Sequence, residues 1–154
     1  MLSTLLLAYQ DEIHVKLFRT WFIINSFGLN KAKRKVLSIE KLHLLDFILK
    51  NEEILNHLQI SEKRDASSTL YKSNLSYGVH NDIKPTISIV ELLHKQGFIE
   101  IENIDNTYYC TCTNKVMLID KNILYVWSEK VKKIKPLVNK PISSITKMLC
   151  EAES

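Results

Sequence analysis

KPTISIVELLHKQGFIEIENIDNTYYCTCT, residues 84–113, decides the fold. Pro85 suits the first helical position, where its missing N–H would find no intrahelical partner anyway. Ile87, Val90 and Leu93 recur at threes, and Ile89 and Leu92 widen the apolar face, so a helix follows. Gly97 fits the C′ position, where a left-handed residue ends a helix. Phe98 to Glu102 then alternates, with Ile99 and Ile101 on one side and Glu100 and Glu102 on the other. Asn103 to Asn106 is turn chemistry, and Thr107 to Cys112 is rich in aromatic and β-branched residues, as a return strand is. A helix feeding a hairpin is the layout of a winged-helix module.

Working outward, residues 3–27 form one apolar-rich helical segment closed by Gly28. Leu6, Tyr9, Ile13, Leu17 and Trp21 fall at helical spacing, with Phe18 and Phe22 beside them; Asp11, Glu12, Lys16 and Arg19 fill the other side. This is a core helix whose aromatics could also anchor a partner chain. Ser38 is a good N-cap for IEKLHLLDFILKN, which ends near Lys50-Asn51, and EEILNHL reads as a shorter helix after it. Asp46 stands among apolar neighbours, where helical spacing can still place it at the surface. Residues 61–68 and 76–83 read as loops, with a short middle helix around 66–75.

After the hairpin, Thr113 can cap a helix over 114–133 that carries two apolar clusters, 116–119 and 123–127. Pro136 stops that helix, and Pro141 starts a last one with Ile142, Ile145, Met148 and Leu149 on one side. The expected architecture is mainly α with a small β-hairpin. Residues 1–113 hold the N-terminal helix and winged-helix core, and 114–154 form a C-terminal helical extension of one compact unit.

Composition is ordinary for a globular domain: 154 residues, 45% hydrophobic, 25% charged, three glycines and three prolines. The net charge of +4 permits an acidic or nucleic-acid partner without demanding one. Lys31, Lys33, Arg34 and Lys35 form one basic run, and Lys130, Lys132, Lys133 and Lys135 a second, partly explained by the favourable field at a helix C-terminus. Either patch could contact phosphates without reading sequence. Tyr9, Phe18, Trp21, Phe22, Tyr108, Tyr109 and Trp127 are the candidate partner contacts. An odd cysteine count without framework spacing, no signal-peptide pattern and no span-length apolar run together predict a reduced, cytoplasmic protein that does not enter a membrane.

Catalytic patterns are weak. Cys110 and Cys112 share one strand face without a second ligand pair, so a core role fits better than zinc. His14, His43, His57, His80 and His94 are scattered, and no phosphate loop or nucleophile elbow occurs. No cofactor and no enzymatic activity are expected.

LSIEKLHLLDFILKNEEILNHL (37–58), the helix with GFIEI (85–101) and YYCTCTNKVMLI (108–119) together resemble the middle-component families of bacterial three-component ABC-ATPase systems of the Lamassu type. The resemblance spans roughly residues 5–125. It departs from the pattern where many such wings carry a glycine shortly after the threonine ending the second strand; Asn114-Lys115-Val116 stands here. It implies a non-enzymatic winged-helix adaptor that docks on an SMC-like coiled-coil ATPase. That ATPase works with an effector, often a nuclease, in anti-phage or anti-plasmid defence. Non-specific DNA contact is compatible with that role; an interaction module of another kind, including a homodimer built through the N-terminal helix, is a separate alternative. The competing expectation is a sequence-specific winged-helix regulator. Helix 85–96 offers it only Ser88, Glu91, His94, Lys95 and Gln96 for base edges, whereas a helix at 66–75 would offer Ser67, Ser68, Thr69, Lys72 and Asn74.

Overall fold

The computed structural model describes residues 2–29, 34–51 and 82–151, with side chains between positions 13 and 146 of those ranges. Among the described residues five helices and one hairpin follow in order: α1 (Leu2–Phe27), α2 (Ile39–Lys50), α3 (Lys84–Lys95), β1 (Ile99–Ile104), β2 (Thr107–Cys112), α4 (Lys121–Val138) and α5 (Ile142–Glu151). The architecture is mainly helical with one two-stranded antiparallel sheet. The helices expected over EEILNHL and around 66–75 lie outside the described residues.

α2 is the central element. Ser38 caps it, accepting from the Lys41 backbone N–H at 3.2 Å. Every residue from Leu44 to Leu49 is buried, and α1, α3, β2, α4 and α5 all pack against it. A helix apolar nearly all round must sit inside. Leu42, Leu45, Ile48 and Leu49 lose all exposure, and each such side chain stabilises the fold by about 1.5–3 kcal/mol relative to an exposed one. One hydrophobic cluster takes Phe18 and Trp21 from α1, Val90 and Leu93 from α3, Ile99 from β1, Ile134 from α4 and Ile145 from α5. Residues on both sides of position 113 therefore share a core.

Burying α2 also buries Asp46, at 3% exposure, and Arg19 of α1, at 7%. Both were expected to be able to reach the surface. The guanidinium instead grips the carboxylate in two places, Nε donating to Oδ1 and Nη2 to Oδ2 at 3.3 Å. Two charges removed from water hold only when paired this way.

The α3 helix and hairpin follow local rules. The Phe98 N–H donates to the Leu93 carbonyl and the Gly97 N–H to the His94 carbonyl, both at 3.0 Å, and Gly97 takes φ +82°. This is a Schellman ending, with Leu93 and Phe98 as its hydrophobic pair. β1 and β2 pair in register from Ile99–Cys112 to Ile104–Thr107. The turn is shorter than the Asn103–Asn106 stretch expected for it. Only Asp105 and Asn106 turn the chain, both at positive φ (52° and 67°), the type I′ geometry that matches strand twist. On its other edge β2 meets the segment before α2: the Cys110 N–H donates to the Leu37 carbonyl at 3.0 Å, and Ser38 bridges Tyr109. Gly28 is pressed between α1 and β2; a Cβ there would lie 2.7 Å from the Ile24 carbonyl oxygen and 3.3 Å from that of Cys110.

α4 departs from expectation at both ends. It starts at Lys121, not Asn114, because Asp120 is its N-cap, accepting from the Asn122 N–H at 2.7 Å. The Thr113 hydroxyl is committed elsewhere, donating to the Gly97 carbonyl at 2.6 Å. Residues 113–120 run without regular structure, and Met117 and Ile119 reach the core while Val116 and Leu118 face outward. That alternation is the period of an extended chain, not of a helix. At the other end Pro136 lies inside α4, which continues to Val138. Pro136 is exposed, and the last turn is tied down by the Lys41 ammonium, which donates to the Val138 carbonyl at 2.9 Å. A cation is favourable at that end of the helix. Pro141 opens α5 as expected, its carbonyl accepting from the Ser144 and Ile145 N–H groups.

Candidate partner and nucleic-acid interfaces

Leu29, before the first basic run, and Lys35, its last residue, are joined by an antiparallel bridge. Lys31 and Lys33 lie outside the described residues. Arg34 is exposed. Lys35 forms an ion pair with Glu102 of β1, so its charge is partly matched within the chain. The second run rides on α4. Lys130 stacks over the Trp127 ring at 4.7 Å, and Lys132 pairs with Glu129 one turn away at 3.1 Å. Lys133 and Lys135 are exposed. An exposed pair such as Lys132–Glu129 contributes little and can be exchanged for an outside partner.

The hairpin has the opposite sign. Residues 98–113 contain Glu100, Glu102 and Asp105 and no lysine or arginine. Glu91 is exposed on α3, beside His94, whose Nδ1 donates to the Ile99 carbonyl at 3.2 Å. A hairpin of this charge repels a phosphate backbone, while α3 itself carries Lys84 and Lys95 against Glu91.

The aromatic candidates separate into an inside and an outside set. Phe18, Trp21 and Phe22 are buried at 8%, 2% and 8% exposure, so these three expected partner anchors belong to the chain's own core. Trp127 is half-buried and meets Phe18 edge-on, with centroids 6.1 Å apart. Tyr109 is half-buried and Tyr108 is exposed. The Tyr9 side chain lies outside the described residues. Sequence reasoning missed a larger outward apolar set: Val116 and Leu118 before α4, and Ile123, Tyr125 and Val126 on its first turns. Leu118 is 97% exposed. The signal was present as two apolar clusters, expected on one helix over 114–133.

Neither thiol is set up for chemistry. Burial pushes Cys110 up to about 12, with repulsion from Cys112 and Glu40 adding to it, and pushes Cys112 up to about 11. Thiols held protonated are poor nucleophiles and poor metal ligands. Both are free of disulfides. Burial alone lowers the Lys41 ammonium below its ordinary range. Among the described residues no group of three or more His, Cys, Asp or Glu side chains is placed to hold a metal ion, and no helix is long and apolar enough to cross a membrane.

No family model matches the chain, and no solved structure matches it. The chain is similar to the non-toxic nonhemagglutinin type C of Clostridium botulinum C phage, at 27% identity over 104 residues covering 63% of this chain. That stretch spans 9% of the phage protein's length.

Proposed function

We propose that the chain is a non-enzymatic adaptor that holds a larger protein partner. The observation that carries this reading is the outward apolar set at 116–126. Exposed aliphatic and aromatic side chains grouped in one stretch mark interaction surfaces. The charge distribution supports a protein partner over a sequence-read duplex, because the α3–hairpin unit that would enter a groove is acidic. The resemblance to middle-component adaptors suggests what the partner is: an SMC-like ATPase that acts with an effector in defence against phages or plasmids.

Tagged full-length chain, captured from its own cells, tests this. A large coiled-coil ATPase should come down with it in fixed ratio. A chain that comes down alone, and then selects one duplex from a random pool, would replace the adaptor with a regulator.

A further inference from the structure

Of the two basic stretches, the second is the longer: residues 114–140 hold seven lysines against Asp120 and Glu129, a net +5. Along α4 the outward face is divided in two. Tyr125 and Val126 are exposed on the first turns, joined by Leu118 from the segment before, while Lys132 and Lys133, seven residues on and so nearly in line with them, are exposed further on with Lys135. At 1.5 Å rise per residue, Tyr125 and Lys135 stand about 15 Å apart along the axis. The inner face, Val131, Ile134, Leu137 and Val138, is buried in the core, so α4 cannot roll over to offer another side.

This layout discriminates among occupants. A second copy docking through the same stripe in parallel would set lysines against lysines. A nucleic-acid backbone would satisfy the lysines and leave Leu118, Tyr125 and Val126 against nothing. An anionic membrane takes a basic amphipathic helix whose apolar and basic side chains flank each other along its whole length; here α4 exposes no large apolar side chain beyond Val126, so its basic half has no apolar face to insert. A protein helix divided in the same way matches both halves. Its apolar residues, at spacings of three and four, would cover the first turns of α4, and its carboxylates would cover the lysines.

We propose that α4 and the segment before it dock an acidic amphipathic helix of the partner protein. This rests on the adaptor reading and narrows it to one surface and one partner chemistry. A photoreactive benzoylphenylalanine in place of Tyr125, which is 70% exposed, tests it in the full-length chain in its own cells. Crosslinked peptides are mapped by mass spectrometry. The expected product joins Tyr125 to a partner segment with apolar residues at helical spacing and an excess of Asp and Glu. The triple variant Lys132→Glu, Lys133→Glu, Lys135→Glu should then cut the crosslink by about tenfold or more, with an unchanged circular dichroism spectrum. A neutral or basic partner segment, or a yield indifferent to charge reversal, overturns the inference while the adaptor reading stands. So does a partner that co-purifies but never crosslinks at Tyr125. If nothing co-purifies and nothing crosslinks, both readings fall. Sedimentation of the purified chain with phosphatidylserine-containing vesicles, lost on Leu118→Asp, would assign the stripe to a membrane and overturn the inference.

Discussion

Among the described residues α1 and α4 are the two longest helices, at 26 and 18 residues, and both carry tryptophan among bulky apolar neighbours. They dispose of that surface in opposite ways. Between Phe18 and Ile24, α1 is buried without a break, because α2, α3, β2 and α4 all pack on it. α4 fully buries only Val131, Ile134, Leu137 and Val138, all in its second half, and on its first turns Ile123, Tyr125 and Val126 stand exposed. Apolar content measures how much surface a helix would hide. The number of neighbours in reach decides how much it hides within its own chain.

The contrast can be broken most sharply at Trp21. Trp21→Ala should lower the stability of the fold by about 3–5 kcal/mol in urea unfolding, whereas Tyr125→Ala should leave it within about 0.5 kcal/mol. Equal effects would mean that the two helices are not disposed as described. Asp46→Ala, which strands the buried Arg19 charge, should cost about 3–5 kcal/mol, and pairing Arg19→Met with Asp46→Leu should recover most of it. If the single change is silent, the ion pair does not hold α1 to α2.

A third test uses pH. Cys110 sits on β2 beside the end of α1, and its folded pKa of about 12 lies above its ordinary 9.0. Above pH 9 the unfolded chain releases the thiol proton and the folded chain keeps it. Stability contributed by the buried thiol is therefore complete below pH 9 and lost as pH rises toward 12, at up to about 1.4 kcal/mol per pH unit. Cys110→Ala should flatten that slope in melts between pH 8 and 11. The smallest stability effect belongs to Leu118→Asp, within about 0.5 kcal/mol, yet it should lower the amount of co-purified partner in the capture assay. Loss of stability with no loss of partner would make Leu118 a packing residue.

How much of this could be read from the sequence depends on how far apart the deciding residues lie. The Schellman ending at Gly97 and the alternation of Ile99 and Ile101 are local, so α3 and the hairpin were legible almost to the residue. Ser38 and Pro141 were legible for the same reason. The start of α4 was not, because Thr113 and Asp120 are both competent caps. The choice between them is made by Gly97, whose carbonyl takes the threonine hydroxyl. The 116–119 cluster was misread because four apolar residues in a row fit either period. Only the core shows that Met117 and Ile119 turn inward. Arg19 and Asp46 stand 27 residues apart, and a pair across that distance leaves no pattern in either helix. The interface candidates rested on residue type alone, which does not separate a core aromatic from an exposed one. Trp21 and Tyr125 look alike as anchors until burial separates them.

The Lys41 ammonium reaches the carbonyl of Val138 across 97 residues of chain. Synthesis proceeds from the N-terminus, so α2 is complete long before the helix end that Lys41 caps has been made. In that interval the faces of α1 and α2 that α4 will cover have no cover from it, while residues 84–113 already hold every residue needed for the α3 ending and the hairpin. Local pieces of this fold can form on the ribosome, but closure of the core waits for α4 and α5 to emerge. A chain released early, before Val138, would present the α1 aromatics to chaperones and proteases instead of to α4.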